Sequence, residues 1–286
     1  MDSEKRTRRE FARDATVAAL GMGVGLEALA AEQKQVGLTF TIIGDSSCVP
    51  DVGHDSACFL INGKHLVDTG WCSALNMRRY GVDPLSLESI ILTHFHQDHY
   101  LGLPQLLFFM GLRKRRGPRL KIIGPDQHLE KVFQAAVAFL QTTRFPELTV
   151  DHELVPIKAG DRFELSDLRF ETMAAKHLSG KNQPEQALVY KVTETNTGAC
   201  AVFTGDTSYH PPIAEFAKGV PLLIHDGAHT SAKDAATIAR KAGVGRLMLI
   251  HHLQKNADRI LREAKTIFPN TVLAKEGSIV EVPAAG

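Results

Sequence analysis

The chain is poor in cysteine, in tryptophan and in excess charge of either sign. Four Cys in 286 residues are too few for a scaffold built on disulfides. They stand at Cys48, Cys58, Cys72 and Cys200 with no C-x-x-C pair, which argues against a zinc site made of thiolates. Lys and Arg total 33 against 32 Asp and Glu, a formal net charge of +1. That balance excludes a broad basic surface gripping nucleic acid by charge alone and leaves room only for a local patch. No apolar run is long enough to span a bilayer, so no stable membrane anchor is expected. Repeats and low-complexity linkers are missing as well. The apolar share of 44% suits a globular protein, and the length allows one large domain or two small ones. What is plentiful is histidine, with 13.

The N-terminus reads separately from the rest. Lys5, Arg6, Arg8, Arg9 and Arg13 precede a small and apolar run, Ala15–Ala31, broken only by Glu27. Ala28-Leu29-Ala30 supplies an A-x-A cleavage site, the arrangement of an export signal. Thr7-Arg8-Arg9-Glu10-Phe11 resembles a twin-arginine signal, with Ala12-Arg13 where Leu and Lys are more usual. Residues 1–30 are therefore expected to be a twin-arginine export signal leading to the periplasm, and 31–286 a single domain. The alternative is a cytoplasmic chain that begins with a plain helix.

Short β-rich runs alternate with helical stretches over the remainder. Leu38–Ile43, Ala57–Ile61 and Lys64–Val67 read as strands, with Asn62-Gly63 as a hairpin turn. Ser89–Thr93, Leu120–Ile123, Leu148–Val155, Leu168–Ala174, Ala187–Val192, Ala199–Thr204, Pro221–His225 and Arg246–Ile250 read as further strands. Leu101–Leu112, Asp126–Gln141, Ser231–Ala242 and Ala257–Phe268 show helical spacing. Strands followed by helices in both halves predict an α/β fold of two sheets with helices outside.

After the strand Ser89–Thr93 comes His94-Phe95-His96-Gln97-Asp98-His99, four possible metal ligands within six residues. Imidazole binds Zn²⁺ at neutral pH without a thiolate. His94 and His96 can project to one side of an extended segment, and Asp98 and His99 can face a second position in the following turn.

With its continuation to Gly102-Leu103-Pro104, this motif resembles the signature of the metallo-β-lactamase superfamily, and within it the ribonuclease Z-like branch. Val67-Asp68-Thr69-Gly70, Lys121–Pro125, Ala201–Thr207, Leu223–Asp226, His229-Thr230-Ser231 and Arg246–His251 follow in the family's order, over nearly all of Leu38–Val282. The resemblance implies a four-layer αβ/βα sandwich of two mixed sheets. It implies one Zn²⁺ on His94, His96 and His177 and a second on Asp98, His99 and His251, with Asp206 bridging. Mn²⁺ or Fe would also suit such ligands. His251 is preferred over its neighbour His252, because only one of two adjacent strand residues can face the ions. Asp98 is expected to orient or deprotonate the attacking water, and His229, partnered by Asp226, to serve the leaving oxygen or the scissile phosphate. Asp68 and His225 are expected to fix ligand imidazoles by their other nitrogens. His54 and His65 read as surface or packing residues.

The expected function is that of a dinuclear zinc hydrolase, a phosphodiesterase acting on a phosphodiester or related small ester. Alternatives are a ribonuclease Z-type tRNA 3′-endonuclease, an aryl sulfate, lactone or β-lactam hydrolase, and, in another class, a metal-stabilised binding module without catalysis. A small-molecule substrate is favoured over nucleic acid for three reasons. No glycine- and proline-rich arm is inserted between Phe133 and His177. Trp71-Cys72 stands where tRNA-processing relatives have an acidic residue after the glycine. Asp226-Gly227-Ala228 replaces their Glu-Ala-Thr. The one basic cluster, Arg113–Arg119, is expected to be a solvated turn in preference to a phosphate-contacting rim. A homodimer remains open.

Overall fold

In the computed structural model, residues 35–178 and 184–285 are described. The proposed export signal lies outside them. Among the described residues, no helix is long and apolar enough to cross a membrane.

The first half runs β1 (Val36–Gly44), β2 (Cys58–Ile61), β3 (His65–Val67), α1 (Ser73–Arg79), β4 (Ser89–Ile91), α2 (Gln97–Tyr100), α3 (Gly102–Leu112), β5 (Leu120–Pro125), α4 (Leu129–Phe139) and β6 (His152–Ile157). The second runs β7 (Arg162–Leu165), β8 (Leu168–Ala174), β9 (His177–Leu178), β10 (Pro184–Glu185), β11 (Leu188–Glu194), β12 (Cys200–Phe203), α5 (Ile213–Phe216), β13 (Leu222–Asp226), α6 (Ala232–Ala242), β14 (Arg246–Ile250), α7 (Ala257–Lys265), β15 (Thr271–Leu273) and β16 (Ile279–Pro283). One seven-stranded sheet has the order β16-β1-β2-β3-β4-β5-β6 and the other β15-β14-β13-β12-β11-β8-β7. Both are mixed. β3 to β6 run parallel, as do β12 to β15, and the remaining neighbours in the two sheets are antiparallel.

Strand parity sorts the side chains into layers. Phe40, Ile91, Phe203, Ile224 and Met248 fill the space between the sheets. Ile90, Ile122, Leu103 and Phe133 pack the first sheet against its helices. Leu223, Leu247, Leu249, Ala235 and Ala239 do the same for the second. The result is the expected αβ/βα sandwich. The β2–β3 hairpin turns on Asn62 and Gly63, both at positive φ (49° and 68°), as a tight two-residue turn requires. In α6, the Ser231 side chain accepts the Asp234 N–H at the start, and Gly243 closes the end in the left-handed region.

Several elements differ from expectation. The strand expected at Leu148–Val155 lies at His152–Ile157, because Pro146–Leu148 forms a 3₁₀ turn first. α1, β7, β15 and β16 have no counterpart in the sequence reading. β7 and β16 are edge strands with a solvent-facing side, so their apolar signal is weak. The Arg113–Arg119 cluster is a turn that ends α3 and leads into β5. Arg115 donates to the carbonyls of Pro118 and Leu87, and Arg119 pairs with Asp151. Leu87 precedes β4, whereas the histidine motif follows β4, so the cluster sits at the opposite end of the sheet and forms no rim around the histidines.

Candidate metal centre

The functional side chains follow the carboxyl ends of strands. Asp68 follows β3, His94 to His99 follow β4, Asp206 follows β12, Asp226 ends β13 and His251 follows β14. His177 opens the short β9 just past β8. At strand ends the backbone leaves the ladder, and side chains from both sheets can turn toward a common point.

Three overlapping groups result, in each of which the donor atoms lie within 4.8 Å of one another: His94, His96, His177 and Asp206; Asp98, His99 and His251; and Asp206, Asp226, His229 and His251. Asp206 Oδ2 lies 3.8 Å from His94 Nε2, 3.9 Å from His177 Nε2 and 3.5 Å from His99 Nε2, while its Oδ1 lies 3.3 Å from His251 Nδ1. It thus stands between the two sets. His177 Nε2 and His96 Nδ1 are 2.9 Å apart. Asp98 Oδ2 lies 3.2 Å from His251 Nε2 and 3.3 Å from His99 Nε2.

Asp68 prepares two of the imidazoles. It accepts the His99 Nδ1–H at 2.8 Å. It also accepts the Thr93 hydroxyl at 2.8 Å, and that oxygen in turn sits 3.1 Å from His94 Nδ1. A hydroxyl that donates to a carboxylate is free to accept, so the relay fixes the His94 proton on Nδ1. Nε2 of His94 and Nε2 of His99 are both buried and have no hydrogen-bond partner among the described residues. Buried polar atoms rarely go unpaired, and two bare imidazole nitrogens beside carboxylates are the signature of a place for a cation. The residues present therefore fit divalent metal.

The electrostatics agree. Burial alone would push the Asp206 and Asp98 carboxyls up, but the surrounding imidazoles outweigh it and hold both well below the ordinary carboxylate range. Burial would lower His251, yet Asp206, Asp226 and Asp98 together drive it up to about 10. Burial brings His177 down to about 4. Asp98, Asp206 and His251 thus hold one another in their charged forms.

His251 rather than His252 lies within the groups; β14 ends at Ile250, so the turn after the strand, and not strand alternation, brings His251 there. His251 sits there at φ +60°, a strained conformation for a non-glycine residue. Asp68, at φ +53°, shares that strain. The His251 N–H donates to the Asp45 carbonyl at 3.0 Å. Asp226 accepts His229 Nδ1 at 3.0 Å, and its N–H neighbours at Ala228 and His229 close the same turn. His65 packs inside the first sheet, as expected, against Ser89 Oγ.

His225 is a correction. It shares its side of β13 with Leu223, which packs toward the helices, while Ile224 faces the inter-sheet core. Its Nδ1 meets the Asp226 carbonyl, and it holds no ligand imidazole among the described residues. Asp45 and Asp55 were missed. The Asp45 carboxylate accepts His54 Nδ1, Gln254 Nε2 and the Glu276 N–H. Asp55 accepts the N–H groups of Trp71 and Cys72 and the Asn76 amide, which shapes the turn after Asp68. The only available signal was the polar run Asp45-Ser46-Ser47 directly after an apolar strand.

A cleft of about 650 Å³ opens over the centre, walled by Cys48, Phe95, Asp98, His128 and His229.

The Beta-lactamase superfamily domain matches residues 64–252. The ribonuclease Z of Methanothermobacter thermautotrophicus is 27% identical over 302 aligned positions, covering 85% of this chain and 96% of that enzyme. Among solved structures, the metallo-beta-lactamase fold protein YhfI from Bacillus subtilis superposes with a TM-score of 0.70 at 22% identity, over 86% of this chain and 100% of that one. The short form of human tRNase Z superposes at 0.67 and 19%, over 86% and 99%. The chain is a hydrolase of the metallo-β-lactamase superfamily, in its ribonuclease Z-like branch.

Proposed function

We propose that the chain is a phosphodiesterase of the ribonuclease Z type, which cuts an RNA phosphodiester with two Zn²⁺ held in the centre. The observation that carries this reading is Asp206, shared by two sets of donors, with His229 on the cleft wall beside it. The near-complete span of the curated ribonuclease Z enzymes supports the RNA substrate.

His94, His96 and His177 would hold one ion, Asp98, His99 and His251 the other, and Asp206 both. When bound, such a pair supplies Lewis-acid charge and lowers the pKa of water. Asp98 lines the cleft, where it orients the attacking water and takes its proton. Water adds to phosphorus as the bond to the leaving oxygen breaks. His229 delivers a proton to that oxygen, and the Nδ1 contact with Asp226 keeps the ring aimed.

A second reading is a small phosphodiester or related ester met after export. Two observations favour it: the Arg8-Arg9 pattern, and the lack of an inserted arm, since residues 140–176 are taken up by β6, β7, β8 and their turns. The 302 aligned positions exceed the 286 residues of this chain, so the archaeal enzyme carries residues that this one does not. Zinc-loaded protein assayed on precursor tRNA, bis(p-nitrophenyl) phosphate, an aryl sulfate, a lactone and a β-lactam separates the readings. Cleavage at the tRNA 3′ end establishes the first. Aryl diester turnover without RNA cleavage shifts the assignment to the second, and turnover of none of the five overturns both.

A further inference from the structure

A second cavity opens beside the first. It measures about 250 Å³, and Ser47 and Ala228 line both, so a molecule seated over the metal centre can extend into it. Its far wall is α7 with the turn before it: Leu253 and Ile260 offer apolar surface, Asn256 an amide, Arg259 a guanidinium and Glu263 a carboxylate. Asn256 starts α7 without capping it by its side chain. Arg259 meets Glu263 through Nη1 at 3.1 Å, one turn along the helix, and its side chain is 56% exposed. An exposed pair of this kind is worth little, so it can open when a better anion arrives.

Guanidinium binds phosphate through two parallel N–H bonds, stronger than those it makes to neutral oxygen. An apolar patch beside an amide suits a nucleoside. We propose that this side cavity holds the nucleoside next to the scissile diester, with Arg259 on that nucleoside's second phosphate. The cavity thereby selects a substrate with at least two phosphates over an isolated diester. This rests on the phosphodiesterase reading above, and it names what the enzyme grips away from the reacting atoms.

The test is equilibrium binding by calorimetry, with the full chain loaded with Zn²⁺. Adenosine 3′,5′-bisphosphate is compared with adenosine 3′- and 5′-monophosphate. Wild type is expected to bind the bisphosphate about tenfold more tightly than either monophosphate, the scale of one charge-assisted contact. Arg259→Gln should erase that difference. Arg262→Gln, the same charge change on the same helix but off the cavity wall, should keep it. Equal binding of all three nucleotides by wild type, a difference that survives Arg259→Gln, or an equal loss in Arg262→Gln would overturn the inference. Hydrolysis of bis(p-nitrophenyl) phosphate by wild type, which needs no second phosphate, reports on the phosphodiesterase reading separately.

Discussion

Asp68 holds His99 by the nitrogen that the pocket does not use: Nδ1–H donates to Asp68 Oδ2 at 2.8 Å, and Nε2 is left bare and buried among the carboxylates. Through Thr93 the same carboxylate governs His94. One side chain thus sets the tautomer of an imidazole in each of the two donor sets.

Asp68→Asn tests this without disturbing the backbone, because Asn tolerates the positive φ found there. The amide can turn its NH₂ toward a ring nitrogen and favour the wrong tautomer. Metal affinity and kcat/KM are expected to fall about 10- to 100-fold, the usual cost of losing such a partner. Competitive chelator titration and steady-state kinetics measure the two effects. An unchanged metal affinity would show that Asp68 serves only the fold.

Asp206 and His177 differ in a way that stoichiometry can read. Asp206 faces donors of both sets, whereas His177 belongs to one. His177→Ala should therefore keep about one ion per chain, while Asp206→Ala should fall below one, because removal of the shared carboxylate weakens both places. Elemental analysis after dialysis provides the count. Two ions retained in Asp206→Ala would end its bridging role.

What the sequence disclosed follows from where each residue's partners lie. His94, His96, Asp98 and His99 declare themselves because one turn holds them all. His177, Asp206 and His251 each stand alone in the chain and were legible only through the order of motifs around them. Asp45 and Asp55 were silent, since their partners include Glu276, 231 and 221 residues away. His225 was misassigned for a different reason: it precedes Asp226 on one strand, and alternation along β13 turns it toward the helices with Leu223, whereas His251 reaches the centre from the turn after β14. β16 could be recognised only by its pairing with β1, at the far end of the chain.

His229 lines the cleft, with 38% of its side chain exposed and Nδ1 committed to Asp226. In the proton-donor role proposed for it, His229 matters most when the leaving oxygen is basic. His229→Ala is expected to lower kcat about 10²- to 10⁴-fold on an alkyl or ribose leaving group. The loss on p-nitrophenolate, which leaves without help, should be much smaller. Kinetics across diesters of graded leaving-group pKa gives the slope. An equal loss on every diester would point to a role in binding metal or phosphate instead of proton transfer.

His65 makes the fold sensitive to acid at a distance from the reacting atoms. It lies buried in β3 with Nδ1 against Ser89 Oγ at 2.9 Å, and its Nε2 has no partner among the described residues. Burial lowers its pKa below the ordinary 6.5 and outweighs the opposing charges of Glu88 and Asp167. The folded chain thus binds this proton less readily than the unfolded chain. The stability associated with His65 is complete above pH 6.5 and declines as pH falls below it toward the folded value, because the unfolded state takes up the proton first. His65→Leu keeps an apolar side chain of similar bulk and removes the titration. Thermal melts from pH 7.5 to 5.5 should show a shallower decline of Tm in His65→Leu than in wild type, whatever its absolute stability. Parallel slopes would mean that protonation of His65 is not linked to unfolding.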